Sequence, residues 1–222
     1  MHSVLAYLYR LSPVSLQNVL LSAFSAHLNR QRYGGRFPEF RALLEESQWW
    51  DRNRLRAWQE EQLRRVLSHA YEHVPYYRET FRHHGYDPAR FQGLEDLQKL
   101  PVLDRDIVKH RVADLKSRAL PPGGLTEGHT SGTTGSPITL FYDADMIAMN
   151  YAVMDRQYRW AGLRMEQDGD RAAVLRGNVI VPLEQKQPPY WRHNRALNQL
   201  IFSSFHLSPQ NLGDFLAALR EF

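Results

Sequence analysis

Hydrophobic positions in the first part of the chain recur mostly at the three- and four-residue spacing of amphipathic helices. Residues 55–71 carry apolar side chains at this spacing, with charged residues between them, and predict one helix. Pro75 is expected to end that helix. A shorter helix is predicted over residues 94–100, and Asp104 is predicted to cap the next one. The pattern therefore predicts a mainly helical region over residues 1–120.

The pattern changes after residues 121–124, Pro-Pro-Gly-Gly, a sequence typical of a break between elements. Residues 138–142 are β-branched and aromatic and predict a strand. Residues 146–160 return to helical spacing, and Asp143 stands where an N-cap is expected. Two further strands are predicted, a buried one at residues 172–175 and another at residues 200–202.

These elements predict an α/β chain, with the helical region followed by the start of a mixed-sheet region over residues 121–222. Ser208 followed by Pro209 predicts the start of a last helix, with an apolar face of Leu212, Phe215, Leu216 and Leu219. The sequence reaches Phe222 inside this helix without a glycine cap or a polar tail. We therefore expect the chain to be a truncated part of a longer protein.

A helix near the N-terminus is also predicted to be amphipathic, over residues 15–28. We expect its apolar face to pack against the body of the protein. Contact with a membrane surface is the alternative, but the polar face lacks the lysines and arginines typical of surface-bound helices. No run of residues has the length of a membrane span. The predicted apolar face comprises Leu16, Val19, Leu20, Phe24 and Leu28.

The composition is that of a folded protein, with 43% hydrophobic, 12% aromatic and 23% charged residues. The formal net charge of +4 is mild and is interpreted as spread over the surface. No basic stripe or recognisable module indicates nucleic-acid binding, although an anionic nucleotide would suit the excess. The absence of cysteine excludes disulfides, thiolate metal sites and a cysteine nucleophile, and is consistent with a cytoplasmic location.

The segment that indicates chemistry is residues 130–137, Thr-Ser-Gly-Thr-Thr-Gly-Ser-Pro. Two glycines three positions apart let the backbone approach a ligand closely. Successive backbone N–H groups in such a turn form a concave anion site, and hydroxyl groups add donors for phosphate oxygens. The predicted ATP-phosphate ligands are Thr130, Ser131, Gly132, Thr133, Thr134, Gly135 and Ser136.

Other phosphate loops fit less well. Gly123 and Gly128 have Walker A spacing, but His129 and Thr130 follow where that motif requires lysine and a hydroxyl residue. A plain surface loop remains the alternative for a run of glycine, serine and threonine.

Together with the strand that follows, this run resembles the phosphate-binding loop of the adenylate-forming superfamily. The flanking residues 73–78, 94–102 and 203–208 resemble phenylacetate–CoA ligases, and most closely their relatives in capsular polysaccharide biosynthesis, the CapK-type branch. The resemblance runs through nearly the whole chain and covers the N-terminal half of a complete family member.

The resemblance implies that the complete enzyme joins a carboxylic acid to ATP, releases pyrophosphate and forms an acyl-adenylate. A thiol, usually that of coenzyme A, then takes the acyl group, and Mg²⁺ assists at the phosphates. Many members carry a lysine in or just after the loop, where this chain has Ser136 and Ile138. The adenine-, ribose- and Mg²⁺-binding residues and the catalytic lysine would lie beyond Phe222, so no catalytic residue is assigned in this chain.

Two other interpretations stay open. One is a non-catalytic remnant that keeps a nucleotide-binding loop or an interaction surface. The other is a zinc hydrolase, because His69, Glu72 and His73 match H-x-x-E-H. Pro75 would end that helix immediately and a third ligand is missing, so we assign no metal site.

Overall fold

The computed structural model describes residues 2–119, 123–130, 137–164 and 169–222, with the backbone alone for residues 2–6 and 176. In this part of the chain a series of α-helices precedes the first strand, and short strands, further helices and 3₁₀ turns follow, which confirms the predicted α/β class. The helices are α1 (His2–Leu11), α2 (Val14–Arg32), α3 (Phe37–Ser47), α4 (Arg52–His73), α5 (Pro75–His83), α6 (Arg105–His110), α7 (Ala144–Trp160) and α8 (Leu212–Glu221). The strands are β1 (Thr126–His129), β2 (Thr139–Tyr142), β3 (Ala172–Arg176), β4 (Trp191–Asn194) and β5 (Gln199–Ser203).

The chain packs into two compact units. One combines residues 1–41 with residues 148–222, and the other contains residues 42–147. The sequence predicted a division at residue 120 between a helical region and an ATP-binding region. This stays a prediction, because the two units are defined by packing and do not show which part binds ATP.

The unit of residues 42–147 is built mainly from α4, α5 and α6. The side chains of Leu67, Phe81 and Phe91 are buried together and form its core. Asp51 caps α4 by accepting from the backbone N–H groups of the first turn. Asp104 does the same for α6, as predicted, accepting from the Ile107 N–H at 2.8 Å. The helix predicted from residues 94–100 is a 3₁₀ helix, Leu94–Lys99.

The other unit contains a three-stranded mixed sheet with the order β3-β5-β4. Strand β5 pairs in parallel with β3 and antiparallel with β4, so β3 and β4 are the edges. As an edge, β3 exposes 54% of Leu175, which contradicts the buried strand predicted there. A buried strand needs cover on both faces and neighbours on both sides, and β3 has one neighbour.

Helix α8 packs on one face of this sheet through Phe215 and Ala218, which are buried against Leu200 and Phe202. Of the four residues of the predicted apolar face of α8, Phe215 is the one that is buried. Leu212, Leu216 and Leu219 point outward and are 44–47% exposed. Aromatic packing on the sheet decided the orientation, since Phe215 stacks on the Phe202 ring at 5.2 Å.

The start of α8 also differs from the prediction. The helix begins at Leu212 after Asn211. The predicted cap, Ser208, instead accepts from the Asn211 N–H through its hydroxyl oxygen at 3.3 Å. Its side chain thus stabilises the turn that precedes the helix.

Helix α2 confirms the predicted helix but contradicts its predicted packing. The residues that it buries are polar, namely Gln17, Ser25 and Asn29. Its apolar residues Val19 and Phe24 are 62% and 60% exposed. Hydrogen bonds from α2 to β4 explain this orientation and are described below.

Candidate functional site

The predicted phosphate loop connects the two strands of an antiparallel hairpin. Strands β1 and β2 pair with Thr126 opposite Tyr142 and His129 opposite Thr139. This confirms the strand predicted from residues 138–142, with its first residue left outside the regular ladder. The run of glycine and hydroxyl residues therefore lies at the closed end of a β-hairpin, between two strand ends.

Two hydrogen bonds between Thr130 and Ile138 close the base of this loop. The Thr130 N–H donates to the Ile138 carbonyl at 3.0 Å. The Ile138 N–H donates to the Thr130 hydroxyl oxygen at 3.1 Å. Thr130 is therefore a structural residue at the loop base, and its hydroxyl hydrogen is the part that remains able to donate to a ligand. Of the predicted phosphate ligands, Ser131, Gly132, Thr133, Thr134, Gly135 and Ser136 lie outside the described residues.

Close packing within the hairpin involves Gly128. A Cβ atom at this position would lie 2.8 Å from Cε2 of the Tyr142 ring. The ring lies against the backbone of β1 because glycine has no side chain there. This contact fixes the spacing of the two strands that carry the loop.

Two cationic or ionisable side chains lie along the hairpin. The ammonium group of Lys116 lies 4.7 Å from the centre of the Phe141 ring, a cation–π contact. The His129 ring is 3.3 Å from the Thr139 hydroxyl oxygen and 3.4 Å from a carboxylate oxygen of Glu127. Sequence reasoning missed both, because Lys116 is far from Phe141 in sequence and His129 was considered only as a mismatch to Walker A.

A cavity of about 400 Å³ adjoins β2 and lies wholly within the unit of residues 42–147. Its wall is mainly aliphatic and aromatic, with Leu103, Val112 and Phe141 among its residues and Lys116 as its cation. A space of this size and lining suits an apolar group. Asp143 reaches this wall but also caps α7, as predicted, accepting from the Met146 N–H at 2.7 Å.

The H-x-x-E-H segment forms the last turn of α4. The rings of His69 and His73 are 4.9 Å apart, and Nε2 of His69 is hydrogen-bonded to the Ser117 hydroxyl at 2.9 Å. Within the described residues, no group of three or more histidine, cysteine or acidic side chains could hold a metal ion. The described geometry therefore gives no support to the zinc hydrolase interpretation.

The polar segment after β3 reaches a second cavity, of about 200 Å³, in the unit that contains the mixed sheet. Asn178 lines it together with Tyr33, Tyr151 and Asn194. Burial, and next the neighbouring Tyr151, raise the pKa of Tyr33 to about 12. Asn178 comes two residues after the end of β3, so the turn that follows this strand contributes a polar side chain to the cavity.

Known proteins similar to this chain carry two names. The chain is 24% identical over 219 residues to Protein CapK of Staphylococcus aureus, covering 99% of the chain and 46% of that protein. It is 37% identical over 115 residues to the phenylacetate-coenzyme A ligase of Thermus thermophilus, covering 51% of the chain and 25% of the ligase. The ligase of Pseudomonas putida is 35% identical over 138 residues, with 62% and 30% covered.

The predicted resemblance is thus confirmed, and the similarity covers the N-terminal half of these relatives. The chain spans less than half the length of each of the three, 46%, 25% and 30%. No family model matches the chain. None of the helices in the described ranges combines the length and hydropathy needed to cross a bilayer.

Proposed function

We propose that the chain is the phosphate-binding part of an ATP-dependent acyl-activating ligase of the adenylate-forming fold. The observation that carries the proposal is the hydroxyl- and glycine-rich run at the closed end of the β1–β2 hairpin, with its base held by Thr130 and Ile138. The similarity to phenylacetate-coenzyme A ligases supports it.

The proposed reaction has two steps. A carboxylate oxygen attacks the α-phosphorus of ATP, the bond from this phosphorus to the bridging oxygen breaks, and pyrophosphate leaves. The thiolate of coenzyme A or another thiol then attacks the activated carbonyl, and AMP leaves. The loop would stabilise the charge that builds up on the departing pyrophosphate through backbone N–H and hydroxyl donors.

The hairpin suits this role for a physical reason. Hydrogen bonding between Thr130 and Ile138 restrains the two residues from which the loop extends. Among the described residues next to the loop, Glu127 carries a carboxylate group. One oxygen of this carboxylate lies 3.4 Å from Nε2 of His129 and is therefore engaged within the hairpin. We therefore assign no Mg²⁺ ligand to this chain, and Mg²⁺ would arrive on the phosphates of the nucleotide.

The name of the Staphylococcus aureus relative fits a role of the complete protein in capsular polysaccharide biosynthesis, which we include in the proposal. ATP and coenzyme A are intracellular metabolites, so the proposed location is the cytoplasm. The second candidate is a non-catalytic remnant that binds nucleotide without turnover.

Nucleotide binding tests the first part of the proposal. We expect the chain to bind ATP with Mg²⁺, and the change of both Thr133 and Thr134 to alanine to weaken that binding at least about a hundredfold, since hydrogen bonds to a charged group are each worth about 1.5–3 kcal/mol and a tenfold change in affinity is about 1.4 kcal/mol. Isothermal titration calorimetry measures both. The matched control is Thr126→Ala, which removes an exposed threonine of β1 away from the loop.

Equal affinity of the loop variant and the control would contradict the assigned phosphate site. Turnover is a separate question. A longer polypeptide that includes this chain should catalyse acid-dependent exchange of pyrophosphate into ATP. Binding without exchange in that polypeptide would favour the remnant.

A further inference from the structure

Helix α2 is attached to the protein by its polar face. The Arg192 guanidinium Nε donates to the side-chain oxygen of Gln17. The Gln17 amide in turn donates to the carbonyls of Tyr9 and Ser12, each at 2.9 Å. Gln17 is 2% exposed and Arg192 is fully buried, so these bonds are shielded from water. They join the start of α2 to α1 and to β4.

Further hydrogen bonds attach the middle of α2 to the same edge of the sheet. The backbone N–H of His193 donates to the Asn18 side-chain oxygen at 3.0 Å. The backbone N–H of Arg195 donates to the Ser22 hydroxyl oxygen, also at 3.0 Å. Since these partners lie on one side of the helix, the rotation of α2 about its axis is determined.

The opposite side of α2 is apolar and exposed, and α1, which precedes it, also exposes apolar side chains. We call these exposed residues together the outer apolar face. The exposed fractions range from 43% to 68%. Its residues are Tyr7, Leu8, Leu11, Leu16, Val19, Leu20 and Phe24.

Two more exposed apolar side chains belong to the segment that holds α1. The Tyr9 hydroxyl donates to the Ile180 carbonyl at 2.8 Å. On either side of Ile180, Val179 is 54% and Leu183 is 53% exposed. Several exposed apolar side chains on segments that are hydrogen-bonded to one another indicate a contact surface.

The excess of basic over acidic residues lies in this same part of the chain and is not spread evenly. The first 38 residues contain four arginines and no acidic residue. The whole chain has 28 basic and 24 acidic residues, so the formal net charge of +4 is carried by these first 38 residues. Arg10 precedes Leu11 of the outer apolar face and forms an exposed ion pair with Glu184, which is a weak interaction in water. Arg30 is exposed near the end of α2.

The excess positive charge favours a negatively charged partner over a second copy of the chain. A second copy of the chain docked through the same face would bring two positively charged segments together. A surface that is apolar below an anionic layer matches both properties, and this is the structure of an anionic lipid leaflet. We propose that α1 and α2 lie in the plane of an anionic bilayer surface and insert the outer apolar face among the lipids.

The structure removes the objection that the polar face of α2 carries too few basic residues for membrane contact. That face lacks lysine and arginine, which counted against membrane contact when the polar face was taken as the one in water. In the structure the polar face is occupied by β4, so its composition reflects hydrogen bonding inside the protein. Membrane contact through this face does not require nucleotide binding, so either property can be refuted without affecting the other.

Flotation with lipid vesicles tests it. We expect the chain to float with vesicles of phosphatidylcholine and phosphatidylglycerol, and to float much less with phosphatidylcholine alone or at high salt. The variant Leu11→Ser with Val19→Ser, at side chains 68% and 62% exposed, should bind at least about tenfold more weakly.

The matched control changes Leu216 and Leu219 of α8 to serine, which are 46% and 44% exposed on another helix of the same unit. It should float like the unchanged chain. Circular dichroism of both variants checks that each remains folded.

Several outcomes would overturn the proposal. No flotation of the unchanged chain would do so, as would an equal loss in the α8 control. Sedimentation showing a dimer that the Leu11→Ser/Val19→Ser variant dissociates would assign the face to a second copy. A longer polypeptide that includes this chain and fails to float would assign it to the rest of that polypeptide.

Discussion

The two faces of the β3-β5-β4 sheet hold their helices in different ways. On one face Leu200 and Phe202 pack against Phe215 of α8, an apolar contact. On the other face Arg192 of β4 donates a buried hydrogen bond to Gln17 of α2. Alternation of side chains along a strand produces this division, since successive residues point to opposite faces.

The difference shows what each contact demands. Apolar packing depends on shape and area, so it tolerates several neighbours and gains from every buried carbon. A buried polar contact depends on complete pairing. A buried group without a partner loses its hydrogen bonds to water and gains none in the protein, which destabilises the fold. Burial lowers the pKa of the Arg192 guanidinium, which is the expected effect of removing a cation from water.

The largest effect is expected on the apolar face. Phe215 is 4% exposed, and Phe215→Ala should lower the free energy of unfolding by about 4 kcal/mol through lost burial and the cavity left behind. Urea denaturation followed by circular dichroism measures the change. The neighbouring Leu216, 46% exposed, supplies the control Leu216→Ala, with an expected loss of less than about 1 kcal/mol. Similar losses in both variants would mean that α8 does not pack through Phe215.

On the polar face, Arg192→Ala should lower the free energy of unfolding by about 3 kcal/mol, because it leaves buried acceptors unpaired. The guanidinium also donates to the Gln185 side chain at 2.9 Å and to two backbone carbonyls. The control is Arg195→Ala, an exposed arginine three residues further on. A loss no larger than that of the control would show that the hydrogen bonds to Gln17 and Gln185 contribute little, and the contrast between the faces would disappear.

The smallest effect concerns Tyr33, which lines the cavity on the α2 side of the sheet. Its pKa is raised from 10.0 to about 12, so the folded protein holds the phenol proton more tightly than the unfolded chain does. This contribution is complete below pH 10 and is lost as the pH rises toward about 12. Tyr33→Phe should therefore show a less steep loss of stability over this range, measured by urea denaturation at a series of pH values.

The control for the alkaline series is Tyr7→Phe, at a tyrosine that is 61% exposed. It should follow the pH dependence of the unchanged chain. Superimposable curves for the Tyr33 variant and the unchanged chain would contradict the raised pKa.

Local chemistry made several elements predictable. The caps Asp104 and Asp143 were identified because a carboxylate accepts from the first free N–H groups of a helix whatever surrounds it. The strand at residues 199–203 was found from its apolar run. The hairpin around the candidate site was half predicted, since β2 was expected and the pairing of Thr130 with Ile138 was not.

Orientation was the part that the pattern did not supply. Hydrophobic periodicity predicted helices at α2 and α8 and an inward apolar face for α2, but the structure exposes Val19 of α2, and it also exposes Leu216 of α8. An apolar stripe shows that a helix has two different faces, while the partner decides which one is buried. For α2 that partner is Arg192, which lies 175 positions from Gln17.

The sequence by itself determined the α/β class, most helix positions, the glycine- and hydroxyl-rich run and the similarity to acyl-activating ligases, because these depend on residues close together in the chain. Only the tertiary structure decided which residues pair on the two sides of the run and that α2 turns its apolar side outward. Both depend on contacts between distant residues, whose free energy depends on which partners meet in space and is absent from any local pattern.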